Sequence, residues 1–269
     1  MSIRSLETTH ALDALKKSQS LLIMGEEGSG KSVIGSAVAD QLRGDDWHVA
    51  VADYGGSTKR TLTEIADQLG VMIEDENGKP LTADILRAEI KEELKRKNST
   101  LICDNAHRYP ASLRFWIEDL MMIVPVLLLA TRPPRRDIFL KVPRLALQPL
   151  SSIEVRSIML DEASALGLQV QVTELAALEE RCGGNPYLAK RVIRESVLEV
   201  KQAEGDRVDY IDGTPFLVAA LSMVGVVRLM GLGLGDKSLY IMGGLATIFA
   251  IIARTLLMRS DMKANRTRF

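Results

Sequence analysis

Gly25-Glu26-Glu27-Gly28-Ser29-Gly30-Lys31-Ser32 stands directly after an apolar run, Leu21-Leu22-Ile23-Met24, and opens a stretch of helical periodicity from Lys31 to about Arg43. The octet fits GxxxxGK[ST] in full, in the strand-then-helix context that the pattern requires. Glycines at these places let backbone N–H groups turn inward around phosphates, and the N-terminus of the following helix adds partial positive charge. The lysine reaches the terminal phosphates, and the serine hydroxyl ligates Mg2+. The stretch predicts a nucleoside triphosphate site in which Gly25, Glu26, Glu27, Gly28, Ser29, Gly30, Lys31, Ser32 and Val33 bind the ligand. Lys31 also acts in catalysis, and Ser32 holds the metal.

Working outward, short apolar runs alternate with helical patterns. His48 to Ala52 reads as a second strand, ended by Asp53 and the turn residues Gly55-Gly56-Ser57. Helical periodicity follows over Thr61–Leu69 and Thr82–Lys97, with a polar turn at Asn77-Gly78 between them. Thr100-Leu101-Ile102-Cys103 is a third strand, Ala111 to Met122 a helix, and Val126 to Ala130 a fourth strand. This alternation predicts an α/β fold, a parallel sheet with helices on both faces, over residues 1–148. A site of this kind needs a second acidic group on a neighbouring strand. Asp104, at the end of the third strand, supplies it and would share the Mg2+ with Ser32.

After Pro149 the pattern becomes purely helical. Ser151 and Glu154 have capping-box spacing, and helices are expected over Ser151–Leu166, Thr173–Cys182 and Pro186 to about Ala203. Gly183-Gly184 ends the second and Pro186 starts the third, as those residue types prefer. Residues 149–203 thus form a small helical lid, and an acidic linker follows at 204–214.

Several stretches resemble the AAA+/STAND ATPases. Leu101-Ile102-Cys103-Asp104-Asn105-Ala106-His107 is similar to their Walker B "hhhDEAH", and Ile65-Ala66-Asp67-Gln68-Leu69-Gly70 to their "IAxxLG". Leu147-Gln148-Pro149-Leu150-Ser151 resembles the "LxPLS" that leads into their lid. Cys182-Gly183-Gly184-Asn185-Pro186-Tyr187-Leu188-Ala189 resembles the "GGNPxxA" turn of STAND lids. The likeness spans about Leu21 to Leu198 and extends to ATPases of secretion accessory systems and transposition regulators. It implies ATP as ligand, ATPase activity and a homo-oligomer with ATP at subunit contacts. It also implies a γ-phosphate sensor at Thr131, an arginine finger among Arg132, Arg135, Arg136 and Arg144, and a lid sensor among Lys190, Arg191 and Arg194, of which Arg191 joins the ligand-binding set. One position departs from the family: Asn105 stands where a Glu handles the attacking water. An amide binds water but does not accept its proton. Asn105 is therefore a catalytic position expected to give slow, switch-like hydrolysis, or one assisted by another carboxylate such as Glu118 or a neighbouring subunit's. It reads equally as a structural partner at the sheet edge.

The remainder of the chain differs in kind. Pro215 to Gly235 carries one charge, Arg228, and Leu239 to Met258 one, Arg254, with only Asp236-Lys237-Ser238 between them. Each is about long enough for a ~30 Å hydrocarbon core. Residues 215–258 are expected to form a transmembrane hairpin in contact with the lipid bilayer. The tail, 259–269, holds Arg259, Lys263, Arg266 and Arg268 against Asp261. By the positive-inside rule it lies in the cytoplasm, with the ATPase. Arg228 either snorkels or faces an oligomeric interior, and Gly231 and Gly235 form a GxxxG pair in the same segment. Lys+Arg 34 against Asp+Glu 35 leaves no global basic field, which argues against nucleic acid as a partner. Cys103 and Cys182 match no metal spacing and read as reduced thiols. The N-terminus has no signal-peptide run. These readings converge on a multi-pass protein of the cytoplasmic membrane that acts as an ATP-dependent switch or assembly factor on an unidentified protein partner. A pore-forming membrane effector and a DNA-linked regulator are the alternatives.

Overall fold

The computed structural model describes residues 3–96, 98–134, 136–168 and 172–197. Its elements are, in order, α1 (Ser5–Lys16), β1 (Leu21–Met24), α2 (Lys31–Gly44), β2 (His48–Ala52), α3 (Thr58–Gln68), α4 (Ala83–Leu94), β3 (Ser99–Cys103), a 3₁₀ turn (Ala106–Arg108), α5 (Ala111–Leu120), β4 (Val126–Ala130), α6 (Ile138–Lys141), β5 (Arg144–Ala146), α7 (Ser152–Ala165), α8 (Val172–Cys182) and α9 (Pro186–Val197). The strands form one parallel sheet in the order β2-β3-β4-β1-β5. The expected α/β architecture is therefore present.

Alternation of side chains along each strand divides the core in two. Ile23, Ile102, Leu127 and Leu129 point to one face, where Ala11, Leu12 and Leu15 of α1 and Ile34, Val38 and Leu42 of α2 cover them. Leu22, Leu101, Cys103 and Leu128 point to the other, under Leu62, Ile65, Leu86, Ile90, Leu113 and Ile117 of α3, α4 and α5. Burial on both faces is why β3 and β4 read as unbroken apolar runs. Parallel strands put all their carboxyl ends on one edge. There β1 delivers the Gly25–Ser32 loop, β3 delivers Asp104 and β4 delivers Thr131.

Four elements were not anticipated: α1, the 3₁₀ turn, α6 and β5. α1 is short and mostly polar, and it contributes Thr8, Ala11, Leu12 and Leu15 to the core. β5 is a three-residue edge strand with little burial, so it carries no apolar run. α3 begins at Thr58 because the Ser57 hydroxyl accepts from the Arg60 N–H at 3.1 Å, ahead of the first apolar residue. Helix α4 stops at Leu94, and Thr82 is its cap rather than its first residue.

Helices α7–α9 enclose a third apolar cluster built on Leu150, Val155, Met159, Leu178, Val192 and Ile193. Ser151 and Glu154 form the anticipated reciprocal cap of α7. Hydrogen bonds from the Ser151 hydroxyl and N–H hold the Glu154 carboxyl below its ordinary range. Gly184 adopts φ 80°, and a Cβ there would lie 2.6 Å from Pro149 Cβ and 2.8 Å from the Leu150 carbonyl. The segment that enters the lid and the turn between α8 and α9 are thereby in contact. No helix among the described residues is long and apolar enough to cross a membrane. The linker 204–214, the apolar segments of 215–258 and the tail 259–269 lie outside the described residues.

Candidate nucleotide-binding site

The loop after β1 turns on Gly28 and Gly30, with φ 77° and 93°, and runs straight into α2. Lys31 is buried, and its Nζ donates to the carbonyls of Gly25 (3.1 Å) and Glu26 (2.6 Å). Burial depresses the Lys31 ammonium below the ordinary lysine value, while Asp104 and Glu27 oppose that shift. Ser29 Oγ is buried within the loop without a hydrogen-bond partner. Ser32 and Val33 are exposed on the first turn of α2.

Two strands away in the sheet, Asp104 and Asn105 sit beside Asp53, the residue after β2. The register pairs Ala52 with Cys103, so Asp53 and Asp104 leave the sheet side by side. Asn105 is left-handed, at φ 50°. Its main-chain N–H donates to Asp104 Oδ1 at 2.7 Å, and its side-chain amide donates to Asp53 Oδ1 at 3.2 Å. The Ala52 carbonyl accepts both the Asp104 N–H (2.7 Å) and the buried Tyr109 hydroxyl (2.8 Å). Burial pushes the Tyr109 hydroxyl and the Cys103 thiol well above their ordinary ranges, so both stay neutral. Thr131 is met by the 3₁₀ turn: its N–H donates to His107 Nδ1 at 3.2 Å. Burial, then the charges of Arg108 and Lys31, lower the His107 imidazole below its usual value, which suits an accepting nitrogen.

The lid touches the loop directly. Asn185 Nδ2 donates to the Glu27 carbonyl at 2.8 Å, and the Tyr187 N–H donates to the Gly28 carbonyl at 3.3 Å. Asn185 Oδ1 meanwhile caps α9, accepting from the N–H groups of Tyr187 (3.0 Å) and Leu188 (3.3 Å). Only glycine fits at Gly28, where a Cβ would lie 2.6 Å from Tyr187 Cβ. From the other side, the buried Arg4 donates to the carbonyls of Ser29 (3.3 Å) and Gln148 (2.8 Å). The lid cations are engaged by lid acids: Arg191 with Glu195 (2.7 Å), Arg194 with Glu162 (2.7 Å) and Lys190 with Glu162 (3.7 Å).

The segment after Thr131 is pinned from beneath. Arg114 is buried on α5 and pairs with Asp137 at 2.9 Å. Arg132, at φ 47°, and Arg136 are exposed on that segment, and Arg135 lies outside the described residues. Arg144 is instead a strand residue whose guanidinium donates twice to the Phe139 carbonyl. Glu118 lies seven residues along α5, about 10 Å from its start, and is paired with Lys141. It is not among the groups around Asn105. Asp53, Arg4, Tyr109 and Arg114 escaped the sequence reading. The single available signal was Asp53 at the end of a predicted strand, where it reads as a turn former.

Residues 14–139 match the family model of the AAA domain. Among solved structures, the chain is similar to a DNA replication initiation factor at 11% identity, over 83% of this chain and 68% of that one, with a TM-score of 0.51. It is also similar to the replication initiator DnaA bound to AMPPCP and single-stranded DNA, at 12% identity over 84% and 69%, with a TM-score of 0.50. A RuvB variant of Thermotoga maritima matches at 19% identity and a TM-score of 0.45, over 75% of this chain and 64% of that one, just under two thirds of the RuvB length. No curated protein matches. At such identities the likeness is one of fold: residues 14–139 form a core similar to that of the AAA domain.

The donors present suit ATP and Mg2+. The loop offers inward-turning glycines, the helix α2 N-terminus, Lys31 and an unpartnered buried hydroxyl on Ser29. Ser32 and Asp104 are hard oxygen donors, and Mg2+ takes only one or two of these from protein alongside water and phosphate.

Proposed function

We propose that this protein is a membrane-anchored ATPase that works as a nucleotide-dependent switch. The observation that carries the reading is the clamp between lid and loop. Asn185 and Tyr187 at the head of α9 bond the Glu27 and Gly28 carbonyls, within the same loop that presents Lys31. A ligand that fills this loop changes the backbone on which the lid rests, so occupancy and lid position are linked.

The neighbouring DnaA is bound to AMPPCP, and the same class of ligand is proposed here. Lys31 would leave the Gly25 and Glu26 carbonyls for the phosphates. Ser32 and Asp104 would hold Mg2+, which supplies charge neutralisation at the phosphates. His107 holds the Thr131 backbone, which supports Thr131 as the γ-phosphate sensor. Turnover is expected to be slow because Asn105 itself offers an amide and no proton acceptor, which leaves the proton to a carboxylate elsewhere. Arg132 and Arg136 are exposed and suited to reach a second copy in a homo-oligomer. Residues 215–258 anchor the unit in the bilayer as a hairpin, and the lid passes its state to the membrane or to a protein partner.

The test is binding of mant-ATP with Mg2+ by the full chain in detergent, with phosphate release measured in parallel. Wild type is expected to bind and to turn over below about 1 per second, at the foot of the ordinary enzyme range. Lys31→Ala should lose the nucleotide. Wild-type protein that does not bind would sink the proposal, and brisk turnover would replace the switch with a motor.

A further inference from the structure

We infer that Asp53, at the end of β2, is the carboxylate that takes the proton of the attacking water, with Asn105 as the bridge that holds it at the site. The inference rests on the ATPase reading above and adds the missing base to it.

Chemistry frames the question. Hydrolysis moves the water oxygen's lone pair into a bond to the γ-phosphorus as the bond to the bridging oxygen breaks, that pair leaving on ADP. The displaced water proton must go to an acceptor. Asn105 has none to offer, since an amide nitrogen does not protonate at neutral pH. Asp104 is assigned to Mg2+ in the reading above, and its Oδ1 already accepts from the Asn105 N–H. Glu118 is paired with Lys141 on the flank of α5.

Asp53 remains, and its placement is built rather than incidental. The β2–β3 register brings it out beside Asp104. The strand end beneath it is doubly fixed, because the Ala52 carbonyl accepts from Asp104 N–H and from the buried Tyr109 hydroxyl. Its own Oδ1 accepts from the Tyr54 N–H at 2.8 Å and from the Asn105 amide at 3.2 Å. Asn105 adopts the left-handed conformation from which its main chain bonds Asp104 while its side chain bonds Asp53. A carboxylate and an amide are thus paired beside Asp104, with the carboxylate on the neighbouring strand. Asp53 is otherwise exposed.

The experiment uses full-length protein in detergent and four forms: wild type, Asp53→Asn, Asn105→Glu and the double exchange Asp53→Asn with Asn105→Glu. Turnover is read beside binding of mant-ATP and of mant-ADP with aluminium fluoride, a mimic of the transferring phosphoryl group that needs an oriented water. Asp53→Asn should keep mant-ATP affinity within about two-fold while turnover falls by about 100-fold, the lower bound of general-base effects. The tightening of mant-ADP by aluminium fluoride should disappear with it. The double exchange should recover turnover, because it returns a carboxylate to the pair. Unchanged turnover in Asp53→Asn overturns the inference, and so does loss of mant-ATP binding in step with turnover, which marks a structural role. A wild type that binds mant-ATP without hydrolysing it also overturns it, leaving the binding proposal intact. A wild type that binds no nucleotide removes the reading beneath both.

Discussion

His107 shows how much of the site hangs on single atoms. Its Nδ1 receives the Thr131 N–H, so only a neutral ring can serve, and burial together with Arg108 and Lys31 favours that neutral form. The sign follows from linkage. The folded ring holds its proton less tightly than the unfolded one, so its contribution is complete above the unfolded value near 6.5. It is lost as pH falls from there to the depressed folded value. His107→Asn keeps an acceptor but does not titrate. The melting temperature of wild type should therefore fall more than that of His107→Asn between pH 7.5 and 5.5, by on the order of 2 °C in scanning fluorimetry. Parallel slopes would remove His107 as the acidic-side weak point. Residues of this importance divide by how they are encoded. Lys31, Ser32 and Asp104 were legible because a fixed spacing, or an apolar run ending in Asp, carries them. Asp53 and Arg4 were not, because their partners arrive through strand register or across 144 residues, as from Arg4 to Gln148.

At the scale of elements, the lid clamp combines two duties in one side chain. Asn185 Oδ1 caps α9, and its Nδ2 grips the Glu27 carbonyl. The two duties separate by substitution. Asn185→Ala removes both and should lower stability by about 1 kcal/mol, the usual cost of an N-cap. Asn185→Asp keeps the cap acceptor and loses the donor, so stability should hold while the lid uncouples. Hydrogen exchange at the first turn of α9, with and without Mg-ATP, reads this directly. Nucleotide should slow exchange in wild type and leave Asn185→Asp unchanged; equal protection in both would show that the clamp does not transmit occupancy. Elements with local signals were foreseen, as with the Ser151–Glu154 cap and the buried runs of β3 and β4. α1 and β5 were not. Their residues are ordinary in sequence, and they gain their place only from the packing of Ala11, Leu12 and Leu15 on α2 and from the Leu22–Arg144 to Met24–Ala146 pairing.

At the scale of the whole molecule, charge distribution and compartment must agree. Residues 215–258 hold two charges besides Asp236 and Lys237, namely Arg228 and Arg254, and each half has the number of residues a helix would need to cross a ~30 Å hydrocarbon core. The proposed anchor has one geometric consequence. In the proposed topology the nucleotide-binding core lies in the cytosol, and a two-pass anchor would return the basic tail to the same side, as the positive-inside rule expects of Arg259, Lys263, Arg266 and Arg268. Ser238 would then face outward under this proposal. Single-cysteine labelling tests this cleanly, because the two native thiols, Cys103 and Cys182, are both buried. In intact cells an impermeant maleimide should label Ser238→Cys and spare Ser260→Cys, while lysed cells should show both labelled. The protein should also remain with the membrane after alkaline carbonate washing. Labelling of neither position in intact cells, with release by carbonate, would mean that the apolar segments are buried within protein. Labelling of both would break the agreement between nucleotide supply and positive charge on which the two-pass anchor stands.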